Sequence, residues 1–308
     1  MKIFYDENIP YAKEFFHDFG ELVPFAGREL SAEQVKDADV LLVRSITKVN
    51  EQLLHLNTKL TFVGTATIGF DHIDQSYLKQ RDVVFTNAPG CNAISVAEYV
   101  LSALMVLVER LGFDLKTKTI GIVGAGNTGT RLSEKLDALG INYLLCDPLL
   151  EKSGDARTFS SLNEIVNCDI ISLHVPITKE CEHSTYHLFN QAVLTKLSSE
   201  QILINACRGE VIDNQALLQL KRNNRGPHIV LDVWENEPNI LTELIAFCQL
   251  TTAHIAGYSL EGKARGTEML YQALSKLANK PIDKQLEQFL PTAEFEYEKQ
   301  HSNNELFA

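Results

Sequence analysis

The sequence has no pair of cysteines in a CxxC arrangement, although six cysteines are scattered along its 308 residues. This spacing argues against a disulfide framework or a cysteine zinc site, and it indicates small apolar core residues in a reducing compartment. No apolar run approaches the roughly 20 residues that span a membrane. Asp6 and Glu7 interrupt the short apolar stretch at the N-terminus, which argues against a secretory signal. We therefore expect a cytoplasmic protein without a membrane partner.

Positive charge is also scarce, because 28 lysines and arginines face 40 aspartates and glutamates and give a net charge of -12 at pH 7. This excess of negative charge argues against nucleic acid as a partner. A hydrophobic fraction of 45% with 22% charged residues is ordinary for a globular protein, and the length suits two domains. An anionic ligand would need positive groups placed locally around it.

Short apolar segments alternate with helical patterns along most of the chain, which predicts the α/β class with parallel sheets. The predicted strands in the first part are 2–5, 39–43, 62–65 and 83–86. The predicted strands in the second part are 120–123, 143–146, 169–173, 201–205, 229–232 and 250–254. The predicted helices include 92–110, 214–222 and 266–277.

The most informative stretch is TIGIVGAGNTGTRLSEKLDALGINYLLCD at residues 119–147. An apolar run precedes its glycines, a helical pattern of leucines follows them, and a second apolar run ends in Asp147. A lone GxGxxG is an ordinary glycine turn in many βα units, but this context indicates a dinucleotide site. The glycines allow a tight turn and close approach to a pyrophosphate, and the helix N-terminus attracts phosphate. The predicted cofactor-binding residues of this unit are Gly124, Gly126, Asn127, Thr128, Gly129 and Asp147.

The acid at the end of the second strand predicts which dinucleotide is bound. Asp147 can accept hydrogen bonds from both ribose hydroxyls of NAD, and its charge would repel the extra phosphate of NADP. We therefore predict NAD as the cofactor.

These patterns together predict two Rossmann-like, doubly wound parallel-sheet domains with a cleft between them. We assign residues 1–95 and 258–290 to a substrate-binding, flavodoxin-like domain, and residues 96–257 to an NAD-binding Rossmann domain. The sequence from about Pro281 onward is polar and lacks periodicity, which is typical of a linker or tail rather than core. Residues 291–308 are assigned to such a tail or linker.

Three ionisable side chains, Arg208, Glu237 and His254, each follow a predicted strand of the second domain. The carboxyl ends of parallel strands meet at one crevice, so these residues could converge. Oxidation of a secondary alcohol needs a base for the hydroxyl proton, and histidine, with a pKa of about 6.5, suits this role. A carboxylate beside it would fix the tautomer and raise its pKa, and an arginine can bind the carboxylate of a 2-hydroxy acid bidentately.

Taken singly, these residues have ordinary interpretations. A strand-end arginine is usually solvated or salt-bridged, and a lone histidine is usually a satisfied polar residue. Asp232 is either a core-edge carboxylate or a partner of the nicotinamide carboxamide. His183 and His187 have i, i+4 spacing, but with no third ligand in view we predict no metal site.

The motifs GAGNTG, NACRGEVID, LDVWENEP and HIAG occur in an order that resembles the D-isomer-specific 2-hydroxyacid dehydrogenases. The family's catalytic arginine, glutamate and histidine fall on Arg208, Glu237 and His254. KIFYDENIPYA, LLVRSITKVNE and HIAGYSLEGKARGT resemble the members that oxidise 4-phospho-D-erythronate to 3-hydroxy-2-oxo-4-phosphobutanoate in pyridoxal 5'-phosphate biosynthesis. The resemblance implies NAD, a small phosphorylated hydroxy-acid substrate and a homodimer.

The resemblance also implies further contacts and one difference in domain content. The implied substrate-binding residues are Ser45, Thr67 and Tyr258. The implied NAD-binding residues are Asp147, Val175, Ala206, Cys207, Arg208, Asp232 and Gly257. The family usually has His-Thr-Pro where this chain has His174-Val175-Pro176, so a contact at 175 must involve backbone or van der Waals surface. Those members carry a C-terminal dimerisation domain, which we expect this chain to lack.

Two alternative functions stay open at this point. The chain is either another D-2-hydroxyacid dehydrogenase, acting on a glycerate or its phosphate, or a non-catalytic NAD-sensing binding protein of the same fold. A substrate panel separates the first alternative, and absorbance of reduced nicotinamide separates the second. The presence of Arg208, Glu237 and His254 argues against the sensor.

Overall fold

The computed structural model describes residues 1–292, which form two compact units. Unit 1 comprises Met1–Asn92 and the described residues from Ser259 onward, and unit 2 comprises Ala93–Tyr258. Of the predicted tail at 291–308, residues 293–308 lie outside the described residues. Among the helices of the described part, none is both long and apolar enough to cross a membrane.

Unit 1 contains a sheet of five parallel strands in the order β2-β1-β3-β4-β5, the order of flavodoxin-like folds. Its strands are β1 Lys2–Asp6, β2 Glu21–Phe25, β3 Val40–Val43, β4 Phe62–Thr65 and β5 Val84–Thr86. Its helices are α1 Ala12–Phe16, α2 Ala32–Val35, α3 Glu51–Leu54, α4 Gln75–Gln80 and α11 Leu260–Leu277, with 3-10 helices at His17–Phe19 and Leu286–Gln288.

Both faces of this sheet are buried, as expected for parallel strands with continuous apolar sequences. Leu42 packs on one face with Phe15 and Tyr271, whose ring centroids are 5.3 Å apart. Leu41, the preceding residue of β3, belongs to a second cluster of buried side chains. Consecutive residues of one strand point to opposite faces, so β3 contributes to two cores.

Two features of unit 1 differ from the sequence-based prediction. The strand β2 is not predicted, because Glu21 and Pro24 interrupt its apolar pattern; it lies at the edge of the sheet, where proline is tolerated. The helix α11 starts at Leu260 rather than at 266, because the Ser259 side chain accepts a hydrogen bond from the Gly262 N–H at 3.0 Å and caps it.

The polar segment from Pro281 onward packs against unit 1, so the expectation of a linker there is wrong as far as Phe289. Leu286 is only 1% exposed. The ring of Phe289 lies 4.9 Å from that of Phe15 in an edge-on arrangement. Lys284 Nζ donates to the carbonyl oxygen of Phe15 at 3.2 Å. Irregularly spaced apolar residues give no periodic signal, yet a few of them suffice to anchor a short segment.

Unit 2 contains a sheet of six parallel strands in the order β11-β10-β9-β8-β6-β7. Its strands are β6 Thr119–Val123, β7 Asn142–Cys146, β8 Ile170–Leu173, β9 Ile202–Asn205, β10 His228–Leu231 and β11 Leu250–Thr251. Its helices are α5 Ala93–Leu111, α6 Asn127–Leu139, α7 Pro148–Lys152, α8 Leu162–Ile165, α9 Gln191–Leu194 and α10 Asn214–Arg222, with 3-10 helices at Leu115–Thr117, Gly209–Val211 and Thr242–Phe247.

The two parallel sheets with their helices confirm the predicted α/β class. In unit 2 the direction of strand order reverses between β6 and β8, and ligands of such sheets bind at the carboxyl ends of the strands beside this switch point. The register fixes which residues meet there. Val123 pairs with Cys146 and with Leu173, so the residues that follow these three strands start from one level of the sheet.

Candidate active site

The turn after β6 requires glycine at two positions, Gly124 and Gly129. Gly124 has a φ of +91°, and a Cβ at this position would meet the backbone of His174 after β8. A Cβ at Gly129 would meet the carbonyl group of Gly124, so the first turn of α6 packs directly on the glycine turn. The N-cap residue of α6 is Gly126, which has no side chain to cap the helix. The first N–H groups of α6 are therefore suited to an anion such as a pyrophosphate.

Asp147 follows β7 and lies beside this turn. Its Oδ2 accepts a hydrogen bond from the Ala125 N–H at 3.0 Å, and its Oδ1 accepts one from the Leu150 N–H at 3.1 Å. The carboxylate thus joins the glycine turn to the start of α7. This placement beside the turn suits the predicted contact with a ribose, which stays a prediction.

The other predicted cofactor residues of unit 2 follow neighbouring strands. Asn127 and Thr128 open α6. Val175 follows β8, Ala206 and Cys207 follow β9, and Asp232 follows β10. Gly257 lies in the loop after β11. All of these residues are near the carboxyl ends of strands, which is where the fold binds a dinucleotide.

The loop that carries Arg208 is held by a buried amide that the sequence analysis missed. Asn205, the last residue of β9, is fully buried; its Oδ1 accepts from the Cys207 N–H at 3.1 Å, and its Nδ2 donates to the Arg208 carbonyl at 2.9 Å. Arg208 Nη1 donates to the Cys207 carbonyl at 2.7 Å. A Cβ at Gly209 would collide with the backbone of Trp234, so only glycine permits this approach of the two loops.

His254 and Glu237 form a hydrogen-bonded pair. His254 Nδ1 lies 2.8 Å from Glu237 Oε2, and Glu237 Oε1 accepts the Trp234 N–H at 2.8 Å. A carboxylate at neutral pH only accepts, so Nδ1 is the donor and Nε2 is left as the acceptor for a substrate proton. The His254 side chain is 51% exposed, and the pair borders a cavity of about 440 Å³ in unit 2.

The electrostatics of this pair follow from its contacts. The hydrogen bond with Glu237 raises the pKa of His254 above its ordinary value, although burial and the charge of Arg208 act in the opposite direction. Burial raises the pKa of Glu237, but hydrogen bonds from His254 and the Trp234 N–H, with the charge of Arg208, bring it below its ordinary value. The charge of Arg208 acts on both groups, and its neighbour Gly209 packs against the backbone of Trp234 and Glu235, so the loops that carry the three residues meet. Their catalytic roles stay predictions.

Asp232 anchors the loop that carries His254. It is 1% exposed. Its Oδ1 accepts from the Thr252 hydroxyl at 2.6 Å and from the Ile255 N–H at 2.7 Å, and its Oδ2 accepts from the Ala256 N–H at 2.9 Å. The predicted strand 250–254 is therefore too long: β11 ends at Thr251, because the following residues bond to Asp232 instead of continuing the sheet. The left-handed backbone of His254, with a φ of +56°, belongs to the same turn. The predicted contact of Asp232 with a nicotinamide stays a prediction.

Sequence reasoning missed the contribution of Thr252 and Tyr99 to this anchor. The hydroxyl oxygens of these two residues are 2.7 Å apart; because the Thr252 hydroxyl donates its hydrogen bond to Asp232, it accepts one from the Tyr99 hydroxyl. A threonine directly after a strand is a weak signal that could have been read. Tyr99 lies within the apolar helix α5 and gives no local signal, because its partner is 153 positions away in the chain.

The predicted substrate residues are divided between the units. Ser45 and Thr67 lie in unit 1, just after the neighbouring strands β3 and β4. The Thr67 hydroxyl donates to the Gly69 carbonyl at 2.9 Å and lies 2.7 Å from the Thr65 hydroxyl. Tyr258 is the last residue of unit 2 and is 61% exposed. Their contact with substrate stays a prediction.

Comparison with known proteins bears on this geometry. Residues 105–256 match the model of the NAD-binding domain of D-isomer-specific 2-hydroxyacid dehydrogenases. A relative from Colwellia psychrerythraea (strain 34H), named erythronate-4-phosphate dehydrogenase, is 60% identical over an alignment of 314 residues, which covers 95% of this chain and 80% of the relative. The chain belongs to the D-isomer-specific 2-hydroxyacid dehydrogenase family. The resemblance predicted from the four motifs is confirmed.

Two solved dehydrogenase structures are similar to this chain over at least 90% of its length. The 3-phosphoglycerate dehydrogenase of Entamoeba histolytica with bound NAD+ has a TM-score of 0.75 at 27% identity, covering 94% of this chain and 99% of that one. The D-lactate dehydrogenase of Aquifex aeolicus, complexed with NAD and lactic acid, has a TM-score of 0.74 at 25% identity, covering 90% and 95%. The predictions of an NAD-dependent dehydrogenase and of NAD as its cofactor are confirmed.

Replacing Glu237 with glutamine should change the pH dependence of this dehydrogenase. Loss of the carboxylate charge lowers the pKa of His254 toward its ordinary value of about 6.5. Oxidation requires a neutral imidazole, so its acid limb should move to lower pH; reduction requires the imidazolium, so its alkaline limb should also move to lower pH. We expect turnover to fall about tenfold or more, because the imidazole loses its orienting partner.

The measurement for Glu237→Gln is kcat as a function of pH in both directions of the reaction. Glu243→Gln, an exposed carboxylate of the same unit, is the matched control and should leave both limbs unchanged. An acid limb that stays in place in Glu237→Gln would disconnect Glu237 from the titration of His254.

Replacing Asp147 with serine should weaken the preference for NAD over NADP. Serine keeps an oxygen that can cap α7 but removes the negative charge beside the glycine turn. We expect the ratio of NADPH to NADH affinity to rise about tenfold, in line with about 1.5 kcal/mol for a hydrogen bond to a charged group. Fluorescence titration with each reduced nucleotide measures the ratio, and Asp137→Ser on the exposed side of α6 is the control. An unchanged ratio in Asp147→Ser contradicts the ribose assignment.

Proposed function

We propose that this dehydrogenase oxidises the C2 hydroxyl of 4-phospho-D-erythronate to give 3-hydroxy-2-oxo-4-phosphobutanoate, in the synthesis of pyridoxal 5'-phosphate. The observation that carries the chemistry is the 2.8 Å hydrogen bond between His254 Nδ1 and Glu237 Oε2, with Arg208 beside the pair. The substrate is supported by the name of the 60%-identical relative.

The proposed roles follow from the geometry of unit 2. NAD, when bound, supplies the hydride acceptor. His254 Nε2 accepts the proton of the C2 hydroxyl, and the charged Glu237 stabilises the imidazolium that results. Arg208 binds the carboxylate next to the reacting carbon, and its planar fork suits a bidentate contact. The alcohol thus loses a hydride to NAD and a proton to His254, and the 2-oxo acid remains. His254 then releases the proton to water.

We further propose that Ser45, Thr67 and Tyr258 contact the substrate. The hydroxyl groups of Ser45 and Tyr258 can donate hydrogen bonds to the phosphate or to the hydroxyl oxygens of the substrate, and the Thr67 hydroxyl, which donates to the Gly69 carbonyl, can accept one from a substrate hydroxyl. Gly124, Gly126, Gly129 and Asp147 would bind NAD through the turn and the ribose, as the free helix end and the adjacent carboxylate favour.

A cytoplasmic location and a homodimer also belong to this proposal. Both rest on the resemblance to metabolic enzymes of this family. The dimer can be measured directly. The mass of the native protein under non-denaturing conditions gives the number of chains, and it also reports bound nucleotide. A single chain per particle at micromolar concentration contradicts the homodimer.

The test of the substrate is a panel assayed by the absorbance of reduced nicotinamide. The panel comprises 4-phospho-D-erythronate, unphosphorylated D-erythronate, 3-phospho-D-glycerate, D-glycerate and D-lactate, with the 2-oxo acids used in the reverse direction. We expect kcat/KM to be at least about tenfold higher for 4-phospho-D-erythronate, because a phosphate contact is charge-assisted. A higher value for 3-phospho-D-glycerate would replace it with the phosphoglycerate activity named for the Entamoeba histolytica neighbour. Bound NAD without any turnover would favour the sensor.

A further inference from the structure

A second histidine–carboxylate pair, His187 and Glu235, lies in unit 2 outside the candidate active site. His187 Nε2 is 2.6 Å from Glu235 Oε1, and His187 Nδ1 is 3.9 Å from Asp213 Oδ2. The Glu235 side chain is 12% exposed and the His187 side chain 26%. Glu235 precedes the predicted catalytic carboxylate of Glu237 by two residues, so the pair acts on the same short loop.

Both members of this pair are held by other elements. The second carboxylate oxygen of Glu235 accepts the N–H of Asn214 at 3.2 Å, at the first residue of α10, where a negative charge is favourable. The backbone N–H of His187 donates to the Glu210 carbonyl at 2.8 Å. Phe189 forms an isolated parallel bridge with Ile212, so the backbone near His187 is held in place. Glu235 is therefore tied to two separate parts of unit 2.

The contact between His187 and Glu235 is one of those that fix the loop from β10 to Glu237, together with the bonds of Asp232 and the bond from Trp234 Nε1–H to the Thr252 carbonyl at 3.1 Å. The backbone N–H of Trp234 donates to Glu237 Oε1, so the orientation of Glu237 depends on where Trp234 lies. The backbone of Trp234 and Glu235 also contacts Gly209, the neighbour of Arg208. A displacement of Glu235 would therefore act on the backbone that bonds Glu237 and on the backbone that packs against Gly209.

A cation is the alternative occupant of this cluster, since one ligand atom each from His187, Asp213 and Glu235 lie within 4.8 Å of one another. The sequence analysis found no third ligand for His187, and the structure supplies two carboxylates. However, Asp213 Oδ1 already accepts the Ala216 N–H, and Glu235 Oε2 accepts the Asn214 N–H. The 2.6 Å contact between imidazole and carboxylate is a direct hydrogen bond with no room for an ion. The contacts favour a direct hydrogen bond between His187 and Glu235 over a bound ion.

We propose that His187 and Glu235 form a positioning pair that holds the loop of Glu237 and thereby sets its carboxylate against His254. This inference rests on the proposed function, in which Glu237 orients the catalytic base. Neither residue contacts the reacting atoms. The pair acts through the backbone of residues 234–237.

The test compares His187→Phe, which removes the hydrogen bond, with His187→Gln, which keeps a donor in place of the imidazole. We expect kcat of His187→Phe to fall about tenfold with KM for NAD unchanged, and His187→Gln to retain most of the activity. His183→Gln, four residues earlier, is the matched control. The second readout is the pKa of His254 from imidazole NMR of the full chain, which should fall toward about 6.5 in His187→Phe only.

The outcomes are distinguishable from failure of the proposed function, because the NMR titration needs no substrate. If the wild-type protein is inactive but the pKa of His254 falls in His187→Phe, the proposed reaction is overturned and the positioning role of His187 and Glu235 is supported. A lower Tm in His187→Phe with unchanged kcat and unchanged His254 pKa shows a structural contact only and overturns the proposal. If His187→Phe does not fold, Glu235→Gln takes its place. A Tm raised by Zn²⁺ in wild type but not in Asp213→Asn overturns it in favour of a cation site.

Discussion

Replacing His254 with alanine is expected to lower turnover by about two to four powers of ten, while the affinity for NADH stays nearly unchanged. The imidazole is held by Glu237 through Nδ1, which leaves Nε2 as the acceptor for the substrate proton. Its raised pKa makes it a better base than a free histidine but delays its deprotonation to higher pH. Steady-state kcat and fluorescence titration with NADH measure the two quantities separately.

The control for His254→Ala is His55→Ala, an exposed histidine of unit 1 whose Nδ1 lies 2.9 Å from the carbonyl oxygen of Gln52, and turnover should be retained. Added imidazole should restore part of the activity of His254→Ala, because proton transfer is then supplied from solution. Full turnover of His254→Ala without imidazole would remove His254 from the role of base. A large loss of NADH affinity would assign it to cofactor binding instead.

Much of this fold could be predicted because local patterns and tertiary packing agree. The helix α10 spans Asn214–Arg222, the range predicted from its pattern, since Asp213 caps it by accepting the Ala216 N–H at 2.9 Å. The predicted strands match observed strands to within a residue or two, except at β11. The glycine turn could be predicted from its context, and at Gly124 and Gly129 the close backbone contacts leave no space for a side chain.

The contacts that position the site could not be predicted in the same way. Asp232 is satisfied by two backbone N–H groups and by Thr252, 20 to 24 positions away, and backbone donors leave no mark in the sequence. Asn205 was missed for the same reason, because its partners are backbone groups of Cys207 and Arg208. The pairing of His187 with Glu235 also has no local signal. Glu235 is 48 positions from His187, and its charge is indistinguishable in the sequence from that of a solvated residue. The sequence therefore predicts candidate side chains for the chemistry, and those predictions stay open, but it contains no signal for the residues that hold them in place.

Replacing Arg208 with alanine is expected to lower kcat/KM for the hydroxy acid by about two to three powers of ten. Loss of a bidentate, charge-assisted contact with a carboxylate costs about 3 to 4 kcal/mol, and each 1.4 kcal/mol is a factor of ten. Arg208→Lys keeps the positive charge but not the planar fork, so KM should rise while the charge at the site is retained. Initial rates over a range of substrate concentration and pH measure both effects.

The pH profile separates the two functions of Arg208 from each other. Its charge lowers the pKa of His254, so Arg208→Ala should move the acid limb of oxidation to higher pH, opposite to the shift expected for Glu237→Gln. Arg208→Lys should leave that limb near its wild-type position and lose only substrate affinity. Opposite shifts from the two substitutions require both groups to act on one imidazole. If Arg208→Ala and Arg208→Lys have wild-type KM, the carboxylate of the substrate is bound elsewhere, and Arg208 acts on the base alone.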